Sequence, residues 1–268
     1  VIWWYHLTVS SGGLLETVGP RRAAVENFNA SWMAVSSVGD LFFAGRPVAV
    51  TPRPTYDSIF RQDAVNLATG DSFNPSEAFS RANTGAPNPK AYTPSGVAVD
   101  SFYVYWGNEE NGTAHGSVVK GSSTSSGVLR AVHGAVDSVR GVSVTGTHVF
   151  FASPSGIYGV PKTTPTTVED NTQGLVVAPP TDGSAWDPLA LAWDGENTLF
   201  LTDAAAGVLY SLPAQNVQAH NLTKFVDSPN VHGLAIIGFS SMASPAHAGP
   251  GLLVALVVAL ACGVGLRE

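Results

Sequence analysis

The chain has 268 residues, 44% of them hydrophobic and only 12% charged, with 28 glycines and 18 prolines. That is ample apolar material for a core, which excludes a chain disordered throughout, and the glycine and proline content favours short strands and turns over charge-laced helices. A net charge of −7, with Arg21-Arg22 the only adjacent basic pair, offers no face to neutralise a phosphate backbone, so nucleic acid is excluded as a partner.

In chain order, VIWWYHLTVSSGGLLETVG comes first, without Met, a basic n-region or a small-residue cleavage site. No signal peptide is predicted there, and such a start is expected of a processed or N-terminally incomplete chain. From Trp32 onward one pattern recurs: a short alternating apolar run, a turn, then an aromatic-rich strand. The copies are WMAVSSVGDLFFAG (32–45), GVAVDSFYVYWGN (96–108), GVSVTGTHVFFAS (141–153) and ALAWDGENTLFLTD (190–203), with a fifth, GLAIIGFS, opening at Gly233. Anchored on Trp32, Gly96, Gly141, Ala190 and Gly233, the spacings are 64, 45, 49 and 43 residues. Three of these match the roughly 40 to 50 residues of a four-stranded propeller blade. The long first spacing predicts an inserted exposed loop in GDSFNPSEAFSRANTGAPNPKAY (70–92), rich in Asn, Pro and Ser.

A third strand follows each aromatic strand in GSVVKG (116–121), GIYGVPK (156–162) and GVLYSLP (207–213). A fourth follows in GVLRAVHG (127–134), GLVVAP (174–179) and NLTKFVD (221–227), with Asn111-Gly112 and Asp194-Gly195 marking turns. The expected fold is therefore all-β, a β-propeller of four-stranded blades over 1–239. Radial stacking would bury Val97, Val99, Val142, Val144, Leu191 and Trp193 between blades. A β-sandwich would show similar strands, but it has no need of an aromatic strand at a fixed offset. The N-terminal segment aligns with strands three and four of a blade, so five blade equivalents are visible and an intact chain could hold six.

The copies resemble the NHL and YWTD β-propeller superfamily, whose blades run P-x-G-I-A-V-D, then Y-W-T-D. PSGVAVD (94–100) with YWGN (105–108) is the best copy and FLTD (200–203) the second, while FFAG (42–45) and FFAS (150–153) keep only the aromatic. A weaker resemblance is to the gluconolactonase and senescence-marker propellers, which hold a divalent metal through Glu, Asn and Asp. It implies Asp203 of TLFLTD as a candidate metal ligand. The family's P-N-G asparagine has no counterpart, since Leu189-Ala190 follow Pro188, and no N-terminal glutamate matches, Glu16 falling on an outer strand. A hard cation needs several converging oxygens, and Asp203, Asp100 and Asp194 equally suit turn capping. No metal, other cofactor or catalytic residue is therefore assigned, a divalent cation entering only with the lactonase alternative.

No Gly-X-Ser-X-Gly elbow, His-Glu-X-X-His helix, Walker loop or dinucleotide fingerprint occurs, and the seven histidines show no ligand spacing. Glu109-Glu110 reads as a solvated loop. Trp3, Trp4, Tyr5, Tyr103, Tyr105 and Trp106 are either blade packing or a carbohydrate-stacking or interface platform. Asn29, Asn111 and Asn221 head N-X-S/T sequons, as in a secreted glycoprotein.

After a small-residue linker (240–250) comes GLLVALVVALACGVGL (251–266), which contains the only cysteine, Cys262, so the propeller carries no disulfide or thiolate metal site. As a helix it would reach roughly 24 Å, short of a hydrocarbon layer of roughly 30 Å unless the bilayer thins. Alternatively it is a lipid-anchor signal, with Ser240, Ser241 or Ala243 as the GPI attachment site. Both forms of this C-terminal hydrophobic anchor predict a membrane-attached propeller on the extracellular or lumenal side. It would act as a binding module for a protein, peptide or glycan, the alternative being a channel-metal lactonase-like hydrolase.

Overall fold

Runs of β-branched and aromatic residues separated by side-chain-capped turns shape the chain. The structure, a computed structural model, describes residues 1–11, 14–51, 57–69, 75–80, 91–109, 116–124, 129–163, 174–215, 217–239 and 253–257. β1 (Ile2–Val9) and β2 (Leu15–Val25) pair antiparallel. β3 (Phe28–Val35), β4 (Leu41–Pro47), β5 (Ser58–Gln62) and β6 (Ser76–Phe79) form a four-stranded sheet, with the short helix α1 (Ala64–Thr69) between β5 and β6. β7 (Pro94–Val99), β8 (Tyr103–Asn108), β9 (Gly116–Ser122) and β10 (Arg130–Val136) form the next. Two more follow: β11 (Val142–Val144), β12 (His148–Ser153), β13 (Gly156–Pro161) and β14 (Leu175–Val177), then β15 (Pro188–Trp193), β16 (Thr198–Asp203), β17 (Val208–Pro213) and β18 (Thr223–Asp227). β19 (Ala235–Phe239) and β20 (Leu253–Val257) make a final antiparallel pair.

In every four-stranded sheet the strands lie side by side in chain order, the up-and-down meander of a β-propeller blade. The chain is an all-β propeller, as the repeat predicts. It divides into two compact units, Val1–Glu110 with Val119–Ala131, and Asn111–Val118 with Val132–Glu268.

The aromatic second strand is the centre of each blade. Successive side chains of a strand point to opposite faces, so a strand covered on both faces has no polar positions to spare. Phe42 accordingly joins a core with Ile59, Phe79, Val97, Val104 and Trp106, while its neighbour Phe43 joins another with Ile2, Val25, Leu41 and Phe60. Phe79 stacks on Trp106 at 5.1 Å in the first, and Phe28, Phe43 and Phe60 meet at 4.9 to 5.5 Å in the second. In the second unit Phe150 packs with Ile157, Leu191, Leu199 and Leu201, and Phe151 stacks on Tyr158 at 5.1 Å.

Two expectations need correction. The region 70–92 is not simply an inserted loop: residues 76–79 are the fourth blade strand β6, and Phe79 at its end is fully buried. The C-terminal helix is not observed either. Residues 253–257 are extended and pair with β19 from Ala235↔Val257 to Phe239↔Leu253. A short apolar run such as LVALV fits strand and helix alike, and here its backbone groups are satisfied by pairing with β19. No helix among the described residues is long and apolar enough to cross a membrane. The linker 240–250 and the remainder of 251–266 lie outside the described residues.

Candidate functional site

The fourth position of each aromatic motif has one recurring structural task. In β8 the Asn108 Oδ1 accepts the Tyr92 amide at 2.9 Å; in β16 the Asp203 Oδ1 accepts the Asp187 amide at 3.1 Å; in β12 the Ser153 Oγ donates to the Asp137 carbonyl at 2.7 Å. Each partner lies 16 residues earlier, on the segment leading into the first strand of the same blade. The β4 counterpart, Gly45, has no side chain because a Cβ there would stand 2.4 Å from the Asn29 carbonyl oxygen, again the residue 16 positions back. The motif thus locks the start of strand one to the end of strand two.

Asp203 carries a further load. Its Oδ1 also accepts the Ala205 and Ala206 amides at 3.0 and 3.1 Å, and the residue is 1% exposed. The other matched aspartates cap turns: Asp194 Oδ1 accepts the Glu196 and Thr198 amides, and Asp100 Oδ1 those of Phe102 and Tyr103. Among the described residues no three His, Cys, Asp or Glu side chains converge as a metal site would require. Replacing Asp203 by Ala leaves buried donors unmatched and is expected to cost about 2 to 3 kcal/mol. Asp203→Asn, which keeps the acceptor as Asn108 does, is expected to cost under about 1 kcal/mol, read from denaturant midpoints.

Tyr105, also 1% exposed, donates its hydroxyl to Asp100 Oδ2 at 3.0 Å. Burial, then the charge of Asp100, its hydrogen bond, and Tyr103 push this phenol far above its ordinary value. The folded state therefore holds a proton that the unfolded chain releases, so this stability is complete below about pH 10 and is lost as pH rises beyond it. Tyr105→Phe should flatten the alkaline limb of a stability–pH curve, and an unchanged limb would contradict this assignment.

A loop cluster is held together by Arg61 at the end of β5. Its Nη2 pairs with Asp40 Oδ2 at 2.8 Å, its Nε with Asp63 Oδ1 at 2.8 Å, and its Nη1 donates to the Ser123 carbonyl at 3.2 Å. The Ser123 amide in turn donates to the Phe102 carbonyl at 2.9 Å, and the Ala64 amide opening α1 donates to Asp40 Oδ1 at 2.9 Å. One guanidinium therefore ties together the β3–β4 turn, the start of α1, the segment after β9 and, through Ser123, the β7–β8 turn. The loops so fixed carry Val38, Val65 and Phe102, which are 73%, 72% and 73% exposed. The equivalent turns of the second unit, Thr145-Gly146-Thr147 and Asp194-Gly195-Glu196-Asn197, have no apolar tip.

Beside Arg61 is a pocket of about 260 Å³ lined by Phe42, Arg61, Ser76, Glu77, Ala78, Ser122, Ser123 and Thr124. Sequence reasoning missed it because Arg61 belongs to no repeated motif. The available signal was the pair of apolar residues, Val38 and Phe102, placed in turns where Gly, Asn and Asp prevail.

Of the other candidates, Tyr105 and Trp106 are buried blade packing, which removes them from any stacking platform. Tyr103 is half-buried beneath the Lys120 ammonium at 4.8 Å, while Trp3, with the Arg21 guanidinium 4.4 Å above it, and Tyr5 are exposed on β1. Asn29 is exposed on β3 and Asn221 just before β18. Asn111, Glu110, Ser240, Ser241 and Ala243 lie outside the described residues.

No family model and no curated protein matches the sequence. Similar solved structures include a gluconolactonase from Xanthomonas campestris, 14% identical over 77% of this chain and 64% of that one, with a TM-score of 0.46. Another is a catalytically inactive virginiamycin B lyase from Staphylococcus aureus with quinupristin, 15% identical over 86% and 73% of the two chains, at 0.49. A computationally designed protein is 13% identical over 64% of this chain and 94% of its own, at 0.39. The chain thus spans slightly under two thirds of the gluconolactonase's length.

Proposed function

We propose that this propeller is a membrane-anchored binding module on the extracellular or lumenal side, and that it recognises its ligand with the loop cluster around Arg61. The supporting observation is that three largely exposed apolar side chains sit on loops immobilised by one buried-edge ion-pair network. Rigid loops lose little conformational entropy on binding, and apolar tips supply the contact area. The anchor rests on the composition of 251–266 and requires 253–257 to leave their pairing with β19, and glycosylation rests on the sequons at Asn29, Asn111 and Asn221.

The test uses the full chain, screened in detergent against immobilised matrix peptides and glycans. At least one specific signal is expected to fall tenfold or more in the triple variant Val38→Ser/Val65→Ser/Phe102→Ser, with its far-UV circular dichroism unchanged. A blank panel, or an undiminished signal from the variant, overturns the reading. Release from cells by phosphatidylinositol-specific phospholipase marks a lipid anchor and retention a protein span; recovery in the soluble fraction removes the anchor altogether. Metal-dependent lactone hydrolysis lost in Asp203→Asn, which keeps the amide-accepting oxygen and thus the fold, would favour the competing hydrolase.

A further inference from the structure

We propose that the pocket beside Arg61 holds one neutral pyranose residue of a glycan, an inference that rests on the binding-module reading and narrows it to a ligand class. Its volume of about 260 Å³, in a recess that is partly open to solvent, is of the size that takes a single small ligand rather than an extended chain. The lining supplies what a polyhydroxylated ring needs. Ser76, Ser122 and Thr124 present hydroxyls that both donate and accept, Glu77 presents a carboxylate, and Phe42 and Ala78 supply apolar wall.

The hydroxyls have fixed positions. Ser122 Oγ and Thr124 Oγ1 lie 3.2 Å apart, Ser122 Oγ also accepts the Thr124 amide, and Ser76 Oγ reaches the Arg61 carbonyl at 3.4 Å. A ligand group that bridges Ser122 and Thr124 meets a preset pair rather than two free rotors.

Charge decides between sugar classes. The Arg61 guanidinium is offset by Asp40 and Asp63, both at 2.8 Å, so the charge left over in the lining is that of the exposed Glu77 carboxylate. A sialic acid, uronate or phosphosugar would set its anion against Glu77 with no unpaired cation among the described lining residues to receive it, whereas a neutral hexose can donate two hydroxyls to that carboxylate. The Phe102 carbonyl accepts the Ser123 amide, which brings its backbone to the lining, and its side chain is 73% exposed.

The experiment is saturation-transfer NMR on the full chain in detergent. The probes are the methyl glycosides of glucose, galactose, mannose and N-acetylglucosamine, with N-acetylneuraminic acid and glucose 6-phosphate as anions. Transfer to at least one neutral glycoside is expected, with its Kd rising at least tenfold in Glu77→Ala and severalfold in Thr124→Val, and little transfer to either anion. Arg61 is left intact because it holds the loops. The pocket assignment is overturned by transfer that Glu77→Ala and Thr124→Val leave unchanged, by preference for an anion, or by no transfer at all. If no glycoside binds while the Val38/Val65/Phe102 variant still loses a matrix-peptide signal, the sugar pocket falls and the binding module stands. If that signal is absent as well, both fall.

Discussion

Trp106→Ala is expected to destabilise the protein by about 3 to 5 kcal/mol, the range for emptying a fully buried large aromatic site. Trp106 is 0% exposed and stacks on Phe79, which ends β6, so its ring joins the outermost strand of one blade to the second strand of the next. Its neighbours Phe42, Ile59, Phe79, Val97 and Val104 are side chains on strands of two sheets whose registers are set by their own ladders, so the cavity has little freedom to collapse. Trp106→Phe, which keeps a ring against Phe79, should retain a large part of that stability. Chemical denaturation of the three proteins measures both costs, and a loss below about 1 kcal/mol for Trp106→Ala would mean that the two blades do not depend on this contact.

The second large effect concerns a missing side chain. Gly141 precedes β11, and a Cβ on it would stand 2.3 Å from the Leu189 carbonyl oxygen and 3.0 Å from the Ala190 Cα on β15. Both obstacles are backbone of a hydrogen-bonded strand, so neither can swing aside as a flexible side chain could. Gly141→Ala is therefore expected to cost about 3 kcal/mol, the upper part of the usual range for overpacking. The control is Gly146→Ala in the β11–β12 turn, where a Cβ meets nothing within 4 Å. It should be neutral, or stabilise by about 0.5 kcal/mol through the unfolded chain. Equal costs at the two positions would show that a general loss of glycine freedom, rather than the approach of neighbouring strands, is being measured.

These two residues show what the sequence makes legible. Gly141 was visible as the small residue opening a repeat, and Trp106 as part of its aromatic strand, because both recur at a period that local composition does not disturb. The blade strands follow: β9, β13 and β17 fall within a residue or two of their predicted runs. What fails is whatever lacks a period. β6 was hidden inside a polar stretch because SEAF is short, with Ser76 and Glu77 facing solvent. LVALV read as helix because five apolar residues carry no preference between conformations until a partner strand is specified. Asp203 illustrates a subtler difficulty. Its position in the motif was readable, but the three amides on its oxygen are set by chain segments whose approach only the fold determines. Arg61 was illegible for the same reason, since Asp40, Asp63 and Ser123 come together from three separate stretches.

The tie between the end of strand two and the residue sixteen places before it bears on how the protein is assembled. A loop of that length closes with small entropic cost, so each β-hairpin can check its own alignment before any long-range contact forms. A chain with nearly repeated sequence risks exchanging equivalent strands between neighbouring segments. A short-range lock whose chemistry changes from copy to copy, Asn108 on an amide, Ser153 on a carbonyl and Asp203 on three amides, with Gly45 leaving room for a close backbone approach instead, gives each hairpin a distinct fit and lowers the stability of the mismatched pairings.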